Sequence, residues 1–157
     1  MKVGLGFDVH RFTPGRPLVL GGVRIPAKQG LAGHSDADVA LHALMDALLG
    51  AASLGSIGQH FPSTDVKYKD VSSLLLLDEV MKMLKKERLR VVNVDIVITA
   101  EDPPITPHVA EMQKRIGQIL EVRLGQVSIK ATTTEGLGFV GRKEGIAAQA
   151  VVLLEEV

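Results

Sequence analysis

The chain has 157 residues, 46% of them apolar, which suits one domain, residues 1–157, around a single core. Its 18 basic and 18 acidic residues cancel, so the charge points to no nucleic acid or acidic membrane, and no apolar run reaches the ~20 residues of a membrane span. There is no cysteine, which excludes disulfides and thiolate metal sites, and the start lacks the apolar stretch and cleavage site of a signal peptide; a cytoplasmic protein is expected.

The chain opens with "KVGLGFDVH", which alternates as a strand does. Val3, Leu5, Phe7 and Val9 point one way, and Gly4, Gly6, Asp8 and His10 the other. The first set is expected to pack against apolar residues. "RPLVLGGVRIP" reads as a hairpin turning at Gly21-Gly22. Gly30 to Ser35 is a loop, and a helix follows over "DADVALHALMDALLGAASLG". Ser35 or Asp36 is expected to cap it, and Gly50 or Gly55 to close it. Leu41, Leu44, Met45, Leu48 and Ala52 form its apolar stripe, while Asp38, His42 and Asp46 recur on another face.

"GSIGQHFPSTDVKYKD" has turn residues and little periodicity, so it reads as a loop, longer than most in compact domains. A second amphipathic helix spans about Ser72 to Arg88. "RVVNVDIVITA" is a strand and "EDPPITP" a proline-stiffened loop. Pro107 then starts a third helix, to about Val122. "QVSIKATTT" is a strand, "EGLGFVGRKEG" a glycine-rich connection, and "IAAQAVVLLEEV" the last strand. The fold class is α+β, an α/β sandwich: one mixed sheet with about three helices on one face. Aromatic residues are only 3%, so the core must be aliphatic and a platform for stacking bases is not expected.

Asp8 and His10 share a strand face, and His42 sits on a polar helix face. Together they make a carboxylate and two imidazoles, a three-ligand set for Zn²⁺, Mn²⁺ or Fe²⁺ with positions left open. Asp46, one turn beyond His42, is a candidate to hold its second nitrogen. Equally, His10 can end a strand at the surface and His42 be an ordinary polar residue. "HSDAD" offers His34 beside a helix start, either an anion site or simply a cap. "KATTTEG" sets hydroxyls and Glu135 at a strand end, either a strand edge or a phosphate cradle with a Mg²⁺ ligand. "GLGFVG" has the G-x-G-x-x-G spacing, but a strand rather than a helix follows it. A dinucleotide site is therefore rejected, and the glycines are assigned to turns and close backbone approach. No G-x-S-x-G or P-loop is present.

In order and spacing, "GFDVHRF", "HSDADVALHALMDALLGA", "FPSTD", "NVDIVITAEDPP" and "KATTTEGLGFVGRKEGIAAQAVVLL" resemble the 2-C-methyl-D-erythritol 2,4-cyclodiphosphate synthases of non-mevalonate isoprenoid biosynthesis. The similarity runs essentially from Met1 to Val157. It implies a homotrimer with active sites between subunits. There, 4-diphosphocytidyl-2-C-methyl-D-erythritol 2-phosphate cyclises and CMP is released, the reaction of a phosphorus–oxygen lyase. It also implies Zn²⁺ on Asp8, His10 and His42, and Mg²⁺ or Mn²⁺ with the diphosphate near Glu135. His34 and Thr133 would position phosphate and stabilise charge. Ser56, Ile57, Gly58, Phe61, Pro62, Ser63, Thr64 and Asp65 would hold the substrate's methylerythritol part, and Ser35 and Thr134 would also bind substrate. Ala100, Glu101, Asp102, Pro103, Pro104, Ile105 and Thr106, with Ala131 and Thr132, would hold its cytidine part. Phe139, Arg142 and Glu144 resemble residues lining an axial cavity that takes an isoprenoid diphosphate. Two positions depart from the family. Ser56 stands where a carboxylate is usual, and Pro104 where a lysine is frequent. Besides this enzyme, the residues admit another mononuclear metal enzyme, or a trimer that binds isoprenoid diphosphate with weakened catalysis.

Overall fold

The computed structural model describes residues 1–157. In chain order its elements are β1 (Lys2–Thr13), β2 (Leu18–Leu20), β3 (Val23–Ile25), β4 (Gly30–Leu31), α1 (Val39–Ala51), α2 (Ile57–His60), α3 (Ser73–Lys86), β5 (Leu89–Thr99), α4 (Val109–Leu120), β6 (Val127–Thr132), α5 (Gly138–Gly141) and β7 (Gly145–Glu156). The main sheet runs β4-β1-β7-β5-β6, and β2 and β3 form the separate hairpin. β7 is antiparallel to β1 and β5, whereas β5 and β6 are parallel and joined by the α4 crossover that such a pair requires. α1, α3 and α4 cover one face of this mixed sheet, as the sequence predicts.

Glycine explains how α1 reaches the sheet. A Cβ on Gly4 would fall 1.9 Å from the Ala47 carbonyl oxygen, and one on Gly6 1.8 Å from that of Ala43. Against these glycines α1 sets Ala43, Ala47 and Ala51, four residues apart, while Leu41, Leu44, Met45 and Leu48 are buried elsewhere around the helix. The inward face of β1 is therefore the one bearing Gly4, Gly6, Asp8 and His10. Val3, Leu5, Phe7 and Val9 are 71%, 69%, 55% and 38% exposed, so the apolar packing expected for them is absent within the chain.

The α1 cap is Asp38, not Ser35 or Asp36. Its Oδ1 accepts from Leu41 N–H at 3.0 Å and from Gly21 N–H at 2.9 Å, and its Oδ2 from Gly22 N–H at 2.7 Å. One buried carboxylate thus ties the hairpin turn to the helix start. Burial and the nearby Asp36 push its carboxyl up to about 6 against those backbone bonds. The segment read as a long loop contains α2 and a 3₁₀ turn, Val66–Tyr68, capped by Asp65 on Lys67 N–H at 3.0 Å. Pro107 lies in a second 3₁₀ turn, Thr106–His108, that leads into α4. Of the "GLGFVG" glycines, Gly138 and Gly141 lie in α5, and Gly141 approaches the Gly136 backbone too closely for any side chain.

Candidate metal centre and substrate cavity

β1 presents Asp8 and His10 on its inner face, and α1 brings His42 over them. Asp8 Oδ2 lies 2.8 Å from His10 Nε2 and 3.1 Å from His42 Nδ1, and the two nitrogens are 3.1 Å apart. Ligands on a tetrahedral ion with bonds near 2.0 Å sit about 3.3 Å apart, so this triangle is close to the size a metal needs. Two imidazoles and a carboxylate suit Zn²⁺, Mn²⁺ or Fe²⁺ chemically.

His10 Nδ1 is 2.6 Å from the Ala32 carbonyl oxygen, which can only accept. Nδ1 therefore keeps its proton, and Nε2 is the nitrogen that can give up its own and offer a lone pair to the centre. His42 Nε2 lies 3.1 Å from both Ser35 Oγ and Ser73 Oγ. Burial would raise the Asp8 carboxyl, but the His10 and His42 imidazoles beside it prevail and hold it well below the usual carboxylate range. Burial would likewise lower His10, yet Asp8 and the Ala32 carbonyl raise it above its ordinary value. Asp46 does not serve His42 as expected: it accepts from Ile57 N–H at 2.8 Å and anchors α2.

A cavity of about 310 Å³ opens beside the triad. His34 and Ser35 line one wall, and Ile57, Gly58, Phe61, Pro62, Ser63 and Thr64 another. Ser56 is exposed at the start of α2, where its N–H donates to Gln59 Oε1 at 3.0 Å. Asp65 contributes its carbonyl oxygen, 2.8 Å from His34 Nε2. Sequence reasoning missed Tyr68 and Leu76, which also line the cavity, and Ser73. It missed Arg16 too, whose guanidinium donates to the Gly33 carbonyl at 2.5 Å and to that of Ser35, steadying the loop that carries His34. No periodicity marks these residues, because each reaches the site across distant chain.

The other expected residues form a second group. Glu101 Oε1 accepts from Thr134 N–H and Oγ1–H at 3.0 and 3.2 Å and from Gly136 N–H at 3.3 Å; these bonds, led by that from Thr134 N–H, hold its carboxyl below the ordinary value. Ala100 N–H donates to the Thr132 carbonyl at 2.9 Å, continuing the ladder that carries Ala131. Ile105 is buried in the core, so its side chain is withdrawn from any ligand, while Thr106 is exposed at the following turn. Asp102, paired with Lys143 at 2.6 Å, lines a further cavity of about 450 Å³ with Pro103 and Pro104. Thr133 Oγ1 accepts from Glu135 N–H at 3.2 Å, and the Glu135 side chain is exposed and makes no ion pair. Phe139 lies on α5, and Arg142 pairs with Glu144 at 3.1 Å just beyond it. Register places both groups at one end of the sheet: His10 pairs with Ile146, Ala147 with Thr99, and Thr99 with Thr132. Three strand spacings, about 14 Å, separate β1 from β6. One chain does not gather both groups into one cavity.

The YgbB family pattern matches residues 1–155. The 2-C-methyl-D-erythritol 2,4-cyclodiphosphate synthase of Syntrophomonas wolfei subsp. wolfei is 60% identical over 156 residues, 99% of either chain. The solved bifunctional IspDF of Campylobacter jejuni is 43% identical with a TM-score of 0.95 over 99% of this chain, which spans 42% of that longer one. A solved 2C-methyl-D-erythritol-2,4-cyclodiphosphate synthase in its CDP-bound form is 35% identical, with a TM-score of 0.90 over 98% of this chain and 100% of that one.

Proposed function

The chain belongs to the YgbB family, and from that premise we propose that it is a homotrimeric cyclodiphosphate synthase of one-domain subunits, residues 1–157, a phosphorus–oxygen lyase. Its substrate is 4-diphosphocytidyl-2-C-methyl-D-erythritol 2-phosphate. The 2-phosphate oxygen attacks the β-phosphorus, the bond from that phosphorus to the bridging oxygen breaks, and CMP leaves with that oxygen. The product is 2-C-methyl-D-erythritol 2,4-cyclodiphosphate, and no water is consumed. Such multiply charged phosphates are confined by membranes, which favours a cytoplasmic enzyme.

The observation that carries this reading is the Asp8, His10 and His42 donor triangle beside a cavity walled by His34 and Ser35. The triad would hold Zn²⁺, with Mn²⁺ or Fe²⁺ suiting the same donors, and Glu135 would reach a Mg²⁺ or Mn²⁺ ion on the diphosphate. When bound, these cations polarise the diphosphate and offset charge developing on its oxygens. The protein's own share is positioning. His34 and Thr133 would orient phosphate oxygens. The Ile57–Thr64 wall would enclose the methylerythritol part, with Ser56 and Asp65 at its edges. The backbone from Ala100 to Thr106, with Ala131, Thr132 and Thr134, would hold the cytidine part. The CDP in a related solved structure favours a cytidine nucleotide here.

Trimer formation is supported by the exposed apolar face of β1, extended by Val151 on β7 at 45% exposure. It is supported as well by the split of the site residues into two groups on one chain, which a neighbouring subunit would complete. Phe139 and Arg142 would then line an axial cavity open to an isoprenoid diphosphate.

The test is incubation with the cytidyl substrate and Mg²⁺, with and without a chelator, followed by product identification. Cyclic diphosphate and CMP in equal amounts, lost with the chelator, are expected. CMP accompanied by an open-chain phosphorylated product would instead mark a metal hydrolase.

A further inference from the structure

His42 Nε2 faces two hydroxyls, and their hydrogen-bonding states differ. Ser73, the first residue of α3, is fully buried. Its hydroxyl donates to Asp36 Oδ1, and its N–H donates to Asp36 Oδ2 at 3.0 Å. An ionised carboxylate only accepts, so the Ser73 proton is committed to Asp36. A lone pair is what Ser73 Oγ then offers His42 Nε2 across 3.1 Å, and only an Nε2–H completes that contact. With the proton on Nε2, Nδ1 is bare. Nδ1 is the atom that stands 3.1 Å from both Asp8 Oδ2 and His10 Nε2.

We propose that Asp36 and Ser73 are positioning residues that fix the tautomer and orientation of His42, presenting Nδ1 as a ready metal ligand. The proposal rests on the metal reading above and deepens it. Ser35 cannot play this part alone. Its Oγ accepts from Ala37 N–H at 3.2 Å, but its own proton remains able to turn toward His42 Nε2. A hydroxyl of that kind satisfies either tautomer, whereas one tied to a carboxylate satisfies only one. Asp36 is itself held between elements: its Oδ1 accepts from Asp38 N–H at 3.2 Å, and its N–H donates to the Val71 carbonyl at 3.0 Å. The α3 start is thereby coupled to the metal ligand on α1.

The test uses full-length protein labelled with ¹⁵N-histidine. The His42 tautomer is read by NMR in metal-free protein, and Zn²⁺ affinity by chelator competition at fixed pH. Wild type should be mainly in the Nε2–H form, against the pull of Asp8 Oδ2, 3.1 Å from Nδ1. Ser73→Ala and Asp36→Ala should show mixed tautomers and bind Zn²⁺ about 10–100-fold more weakly. Asp36→Asn, whose amide oxygen still accepts from Ser73, should retain most of the affinity. The Ser73→Ala/Asp36→Ala pair should lose no more than Ser73→Ala alone, since the two act in series. An unchanged tautomer, affinity within about twofold of wild type, or additive losses would overturn the proposal. A variant that loses affinity by unfolding is recognised by circular dichroism, and the Asp36→Asn comparison then decides. Wild type that binds no Zn²⁺ would defeat the metal reading, while the metal-free tautomer still judges the relay.

Discussion

Asp8 owes its low carboxyl pKa to His10 and His42, and His10 is raised in return by Asp8. That exchange predicts how metal binding depends on pH. In metal-free protein His10 keeps its proton to higher pH than an ordinary imidazole, near 6.5, and the proton must leave before a metal binds. Zn²⁺ affinity should rise with pH through this range and above it. Asp8, already ionised, should add nothing to the slope. Chelator competition between about pH 5.5 and 8.5 reads this directly, and a flat profile would remove His10 from the ligand set. Ser56 yields a second expectation. It is exposed, and aspartate serves as well at a helix start. Ser56→Asp should lower KM for the cytidyl substrate with little change in kcat, and an unchanged KM in steady-state kinetics would show that the position does not contact substrate. Asp8, His10 and His42 were legible because strand and helix periods set their directions. Ser73 and Asp36 were not, since their roles depend on hydroxyl and carboxylate meeting across a loop.

At the scale of elements, small residues govern the contact between β1 and α1. Gly6→Ala would drive a methyl into the Ala43 carbonyl, with backbone on both sides and nothing flexible to yield. It should cost about 2–3 kcal/mol in thermal or denaturant unfolding, and weaken Zn²⁺ binding because His42 precedes Ala43. Gly50→Ala, on the exposed side of α1 with open space around the new methyl, should instead stabilise by about 0.5–1 kcal/mol. Opposite signs from one chemical change separate packing from helix propensity; equal effects would contradict the close approach. The long elements were readable from periodicity. α2 and the 3₁₀ turns were not, because a single turn has too few residues to show a period.

The whole molecule leaves one sheet face uncovered. Leu5, on β1 beside Val151 of β7 and 69% exposed, makes little contribution to the fold of one chain. Burying a leucine contributes about 1.5–3 kcal/mol, so Leu5→Glu should shift a trimer toward monomer by at least about tenfold in concentration. The chain should stay folded and keep its Zn²⁺, while turnover falls with assembly. Light scattering, unfolding and metal analysis check the three parts; a Leu5→Glu trimer would place the interface elsewhere. The sequence alone determined which side chains share a face, because backbone periods are local, and its ordered motifs pointed to the family. Which face of β1 turns inward was decided only in three dimensions. The choice depends on what lies opposite, and the α1 alanines fit the glycines but leave no room for Val3, Leu5 or Phe7. The meeting of Asp8 and His10 with His42, and the link from Asp36 through Ser73, were likewise settled by packing, since both join residues more than thirty positions apart.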